Sequence, residues 1–239
     1  MKPKTTTALS SQQIKQAKTT ALVEAARRAY EKHEIRDRGD RWWHIARRYP
    51  DGDRSFDSSY VTDIFCGRLG EVYVGGDISS MVFAYNNANP ISRLHWIGDC
   101  NDLEYYVAQK ASIGMGRDLQ NAVWDYDSEL AATQLHEHYQ QLLDAGRSAT
   151  PPAMKDLKDI LLELGLELPQ ERAVELTHEL DWTIMEGLGP LGEVVSTRLV
   201  YAWAAIRRLC EVLGAVTRGS LCRTDQVHGD VCLMCREAK

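Results

Sequence analysis

Long apolar runs are missing from this 239-residue chain. The longest, Leu199 to Ile206, has eight residues, whereas a helix that crosses a membrane needs about 20. No membrane span is expected. Met1 to Thr7 carries two lysines, and no apolar stretch follows them, so no export signal is expected either. Cysteine is sparse: Cys66, Cys100, Cys210, Cys222, Cys232 and Cys235 are the full set. Without export they should stay reduced, in the cytoplasm of a host cell. The composition, 44% hydrophobic and 26% charged, excludes a collagen-like chain, a disulfide scaffold and a wholly disordered one. This length makes one large domain or two small ones. It buries roughly 70% of the surface of the unfolded chain.

The familiar catalytic signatures are missing too. Ser79-Ser80 follow Gly76-Asp77, but there is no G-x-S-x-G. Gly67-x-x-Gly70 and Gly114-x-Gly116 are lone glycine pairs that match neither a phosphate loop nor a dinucleotide fingerprint. Catalysis is therefore not the expected activity, and a metal-dependent hydrolase is the enzyme class that stays open.

What the chain does have is separated charge. Residues 1–48 carry 12 lysines and arginines against 5 acids, a local net of +7. Residues 49–98 sum to −3, residues 99–193 to −13 and residues 194–239 to +3, for −6 overall. Two readings fit. Either the helices expose solvated charges that balance across the fold, or an acidic face docks onto a basic, nucleic-acid-binding protein surface.

Apolar periodicity predicts an α+β protein: an N-terminal helix, a small antiparallel sheet, then a helical half. The expected divisions are an N-terminal helix or arm over 1–40, a sheet region over 41–116, and a helical region with a Cys/His tail over 117–239. Ile14, Ala17, Ala21, Leu22, Ala25, Ala29 and Tyr30 place a helix over 8–35, capped by Ser10 or Ser11. Its apolar stripe is thin, so it needs a partner: its own domain, a second copy of the chain in a homodimer, or nucleic acid. Arg36 to Asp40 reads as a turn. Strands are expected from Trp43, over Tyr60–Cys66, Glu71–Val74 and Met81–Tyr85, and at an edge over Arg93–Ile97. Gly75-Gly76-Asp77 turns one hairpin. Helices are expected over Leu103–Ile113, Trp124–Leu143, Thr150–Gly165, Leu168–Met185 and Pro190–Leu213, with Thr150 a cap and Gly165 and Gly214 stops.

The most specific local pattern is the tail, Cys222-x5-His228-x3-Cys232-x2-Cys235. Three thiolates and one imidazole make the closed four-ligand set that structural zinc requires. Small buried cysteines with an exposed His228 are the other reading. His136-x-His138 sits in a helical stretch, where residues two apart diverge by about 200°. A solvated face suits both better than a shared metal. Asp125, Asp127 and Glu129 cluster, yet at a helix start such acids cap and stabilise the dipole. Of Trp42-Trp43, one ring is expected in the core and the other under an arginine stem, base stacking being the alternative. Glu163, Glu167, Glu171, Glu175 and Glu179 recur at every fourth position, with a break at Pro169. Such spacing lines a helix face with carboxylates and costs a few tenths of a kcal/mol per pair. These five glutamates are the expected partner-binding residues.

The stretch Phe65-Cys66-Gly67-Arg68-Leu69-Gly70-Glu71-Val72-Tyr73-Val74-Gly75-Gly76-Asp77-Ile78-Ser79-Ser80-Met81-Val82-Phe83 resembles uncharacterised small proteins of phages and other mobile elements. Arg93 to Trp96, Tyr105 to Lys110 and Ile113-Gly114 look like the downstream part of that pattern. The resemblance covers residues 42–116 and is a hairpin signature, with Gly76-Asp77 turning and Val82 and Phe83 expected to face the core. It implies a setting more than a reaction. Phage accessory proteins include inhibitors of host defence, anti-CRISPR proteins among them. By analogy, the expected function is binding and inhibition of a host defence complex such as CRISPR–Cas. The alternative is a nucleic-acid-binding accessory protein with a zinc-binding tail.

Overall fold

A computed structural model describes residues 9–48, 56–68, 70–78, 80–84, 90–115, 123–145, 151–180 and 182–217. The fold is α+β, with a five-stranded antiparallel sheet and an N-terminal helix. The chain divides into two compact units. One holds the described residues of Met1–Ala25 with those of Gly116–Val200; the other holds Ala26–Met115 and those from Tyr201 on.

The first helix, α1 (Ser11–Tyr30), opens on a reciprocal cap. The Gln13 N–H donates to the Ser10 hydroxyl, and the Ser10 N–H donates to the Gln13 side chain. The helix stops five residues short of the expected end. Residues 33–39, read as helix end and turn, instead form strand β1 (His33–Gly39). It pairs with β2 (Trp42–Arg48) through a two-residue turn in which Asp40 and Arg41 both have positive φ, 49° and 64°. That is the sign a tight hairpin turn demands of both central residues. Charged Arg-Asp-Arg had masked a strand that pairing imposes.

The meander then runs through β3 (Phe56–Cys66), β4 (Glu71–Gly76) and β5 (Met81–Ala84), in sequence order. Alternation puts Trp43, Ile45, Ile64, Cys66, Val72, Val74, Met81 and Phe83 on the buried face. Val82, expected to share the core with Phe83, lies on the other face and is half-buried, because neighbours on a strand point oppositely. Gly76 has φ +123°, and a Cβ there would lie 2.1 Å from the Val61 carbonyl oxygen. The next residue, Asp77, accepts the Val61 N–H at 3.0 Å. Tyr30 docks on Thr62 of β3 by a 2.7 Å hydroxyl contact, and burial pushes its phenol up to about 12, against the lowering effect of that hydrogen bond.

The expected edge strand over Arg93–Ile97 is a helix, α2 (Pro90–Gly98). Leu94 and Ile97 are buried while Trp96 is exposed, a three-residue spacing that a five-residue window had left ambiguous. A single π-helical turn, Leu103–Val107, capped by Asp102, runs into α3 (Ala108–Met115).

The other unit is mostly helical. The expected helix over 124–143 is preceded by a short strand, β6 (Trp124–Tyr126), before α4 (Ser128–Asp144). The helix expected from Pro190 likewise begins with a strand, β7 (Glu193–Val195). β6 and β7 pair antiparallel, a two-stranded sheet absent from the sequence reading. Helix α5 (Pro151–Leu164) ends as expected at Gly165, whose φ is +63°; its expected cap, Thr150, lies outside the described residues. The single helix expected over 168–185 is two, α6 (Gln170–Glu179) and α7 (Trp182–Met185), because Leu180 is extended. Ala131, Leu135, Leu157, Leu161, Leu168, Leu176 and Ile184 form the core among these helices. The last helix, α8 (Thr197–Thr217), passes through Gly214 rather than stopping there. Among the described residues no helix is long and apolar enough to cross a membrane.

Candidate functional site

The acidic segment begins where α5 ends. Gly165 turns the chain, and the connection to α6 is pinned by Leu168, whose side chain is buried. The Leu168 N–H donates to the Ser128 carbonyl at 3.0 Å, and the Tyr126 hydroxyl donates to the Leu168 carbonyl at 2.7 Å. Burial, with the charges of Asp127 and Glu171, pushes the Tyr126 phenol up to about 12. So the connection is held at both its backbone groups.

The five expected glutamates are distributed over this frame. Glu163 lies in the last turn of α5 and Glu167 in the connection, both exposed. Glu171, Glu175 and Glu179 are four apart along α6 and exposed. The structure brings two of them together on a cation. Arg172 donates to Glu175 at 3.0 Å and to Glu179 at 2.9 Å, and these bonds, Glu179 foremost, raise its guanidinium further. The repulsion read from spacing is therefore relieved within α6. Among the described residues, no ion pair holds Glu163, Glu167 or Glu171.

Sequence spacing missed the apolar half of this surface. Leu162 is 74% exposed, Leu166 82% and Val174 55%. Each is followed directly by a glutamate: 163, 167 and 175. Their neighbours Leu161, Leu168 and Ala173 are the buried ones. The extra leucines in the helical repeat were the available signal.

The other expectations resolve individually. Asp127 is the N-cap of α4, accepting the Leu130 N–H at 2.9 Å. Lys18 meets Asp127 at 2.5 Å and Glu129 at 3.0 Å, while Asp125 accepts the Thr197 N–H. Burial works to raise the Asp127 carboxyl, but Lys18 and the cap bond outweigh it and lower it. These carboxylates thus cap and pair rather than converge on an open site. His136 is exposed, its Nε2 3.2 Å from the Gly165 carbonyl. His138 departs from the solvated face expected of it. It is buried, with Nε2 2.5 Å from the Ile184 carbonyl, because α7 covers that side of α4. Cys222, His228, Cys232 and Cys235, the expected zinc ligands, lie outside the described residues. Among the described residues, no three His, Cys, Asp or Glu side chains gather as a metal site.

A second surface lies on the outer face of the five-stranded sheet. Trp43 is in the core, and Trp42 is exposed. The exposed ring is held by Asp63, which accepts the indole N–H at 2.9 Å and also meets His44 at 3.0 Å. The register pairs Trp42 with Phe65 and Phe65 with Tyr73. Three aromatic rings, each a little under half exposed, therefore cross three neighbouring strands. Phe65 and Tyr73 are 6.0 Å apart and border a cavity of about 650 Å³ with Arg68 and Glu71. Phe65 and Tyr73 occupy the outward phase of alternating strands, where polar residues are the rule. That phase was their sequence signal.

Compared with family models, with curated proteins and with solved structures, the chain finds no match.

Proposed function

We propose that this chain acts by binding, docking a basic protein surface on the acidic segment that ends α5 and opens α6. The observation that carries this reading is the pairing of exposed Leu162, Leu166 and Val174 with the acids beside them. A face meant only for water gains nothing from such leucines. Exposed apolar groups rimmed by charge are the make-up of a protein interface. Glu163, Glu167 and Glu171 supply steering towards positive potential, and the leucines supply contact area. The resemblance of residues 42–116 to phage and mobile-element proteins supplies the setting. The partner is then a host defence complex that exposes a nucleic-acid-binding groove, of the CRISPR–Cas type. A protein whose acidic face fills that groove inhibits by occupancy.

The test is an interference assay in cells carrying such a defence, with wild type and Glu163→Lys/Glu167→Lys/Glu171→Lys compared at equal abundance. Wild type should block defence and the triple reversal should not. Equal inhibition by the two removes the acidic-face mechanism.

The aromatic row favours a second reading, single-stranded nucleic-acid binding by stacking on Trp42, Phe65 and Tyr73. Here the free protein would shift labelled RNA or DNA in low salt, and alanine at all three positions would abolish the shift. A zinc-holding tail would accompany that reading. Zinc in protein purified without chelator tests it independently.

A further inference from the structure

Two arginine pairs lie far apart in the chain, Arg27-Arg28 at the end of α1 and Arg207-Arg208 within α8. The fold brings them to one cleft of about 360 Å³, whose lining also includes Glu31 and Glu211. Four guanidiniums face two carboxylates, so the cleft is net positive.

The cations are held in place. Arg27 and Arg207 each lie over the Trp203 ring, at 5.4 and 5.3 Å from its centroid. That ring is buried, and its N–H donates to the Cys100 carbonyl at 3.0 Å. Arg207 also donates to the Gly98 carbonyl and the Asn101 side chain, both at 3.3 Å. Gly98 makes that approach feasible, since a Cβ there would lie 3.1 Å from the Arg207 Cα and 2.9 Å from the Cys210 sulfur. A rigid floor thus orients two of the four heads before any ligand arrives.

Their internal partners are weak. Glu211 reaches Arg208 at 3.4 Å and Arg207 at 3.7 Å, longer than the roughly 2.7–2.9 Å of a charge-assisted hydrogen bond. The Arg208 Nε is out of solvent with no hydrogen-bond acceptor among the described residues. A desolvated donor without an acceptor is costly, and a bound anion would supply one.

We propose that this cleft binds a small phosphorylated ligand with at least two phosphate charges. Guanidinium forks match phosphate oxygens two at a time, and several forks around one cavity suit a di- or triphosphate better than a single carboxylate. The volume lies at the small end of ligand pockets, large enough for a diphosphate. A nucleic-acid strand fits less well. The Trp203 ring is covered and offers no face to a base, and Glu31 and Glu211 oppose a continuing chain of phosphates.

Calorimetric titration of the whole protein with inorganic pyrophosphate, and separately with a nucleoside diphosphate, tests this. Pyrophosphate should bind and raise the melting temperature. Arg28→Gln/Arg208→Gln, which leaves both arginines over Trp203 intact, should weaken binding by about tenfold or more. It should leave the far-ultraviolet circular dichroism unchanged. Arg198→Gln, outside the cleft, should bind as wild type does. Equal affinity for the two probes assigns recognition to the phosphates alone, and tighter nucleoside diphosphate binding assigns a nucleotide. No heat and no melting shift at about 1 mM of either probe overturns the proposal. So does binding that survives the double substitution, or a single-stranded oligonucleotide that binds tighter than both probes and does so independently of Arg28 and Arg208.

Discussion

The helical unit and the sheet unit use their surfaces in opposite ways. In the helical unit, Lys18 and Arg172 are tied to carboxylates, and Glu163 and Glu167 stand exposed beside exposed leucines. In the sheet unit two positive heads, Arg27 and Arg207, lie over Trp203, and the open face of the sheet shows aromatics. The difference teaches where a charge count has meaning. Part of the −13 of residues 99–193 is tied up on folding, Asp127 and Glu129 by Lys18 and Glu175 and Glu179 by Arg172. Two cations of the +7 segment, residues 1–48, are likewise engaged: Lys18 pairs with Asp127 and Glu129, while Arg27 lies over Trp203.

The sheet unit depends on one backbone position more than on any charge. Gly76→Ala puts a Cβ against the Val61 carbonyl at a φ that only glycine adopts freely. It should cost about 4 kcal/mol or more, read as a lower urea midpoint at unchanged slope. In the helical unit, adjacent leucines sharpen the contrast between core and surface. Leu161→Ala should cost about 3 kcal/mol by cavity formation. Leu162→Ala, one residue on, should stay within about 0.5 kcal/mol. Equal losses at the two positions would place Leu162 in the core and take an anchor from the proposed interface.

Charge effects come next. Asp127→Asn keeps a good cap and removes the pairing with Lys18, so about 1 kcal/mol should be lost at neutral pH. The folded carboxyl lies below its ordinary value. Its contribution is therefore complete above the ordinary carboxylate range, and it disappears as pH falls through the lowered folded value. Wild type and variant should converge in acid. A gap that persists there would mean the Asp127 charge is not its source. The smallest effect belongs to Arg172→Gln. Exposed pairs add little, so thermal stability should hardly move. The freed Glu175 and Glu179 should instead quicken association with a positively charged partner at low salt.

Much of this was legible in the sequence, for physical reasons that can be named. The meander showed itself because β4 and β5 alternate cleanly around Gly76-Asp77, and α5 because a proline start and a glycine stop bracket it. β1, β6 and β7 did not, since each is made by its pairing partner rather than by its own composition. Trp124-Asp125-Tyr126 and Glu193-Val194-Val195 sit inside apolar patterns that continue as helix. Arg93–Ile97 was too short for its period to be decided. The glutamates were visible because like charges repeat along a helix. Phe65 and Tyr73 needed strand register to join Trp42, and the arginine cleft needed the tertiary fold to bring two distant pairs together. Arg172 could have been seen at three and seven residues from its two acids, and its presence sets Glu175 and Glu179 apart from Glu163, Glu167 and Glu171.

The most direct test of the proposed acidic docking surface is its association rate with an isolated CRISPR–Cas effector complex as salt is varied. Steered association falls by about tenfold or more between low and physiological ionic strength. Wild type should show that fall, while Glu163→Lys/Glu167→Lys/Glu171→Lys should associate slowly at every salt concentration. A wild-type rate that is independent of salt, or a triple reversal that associates as fast as wild type, would contradict it.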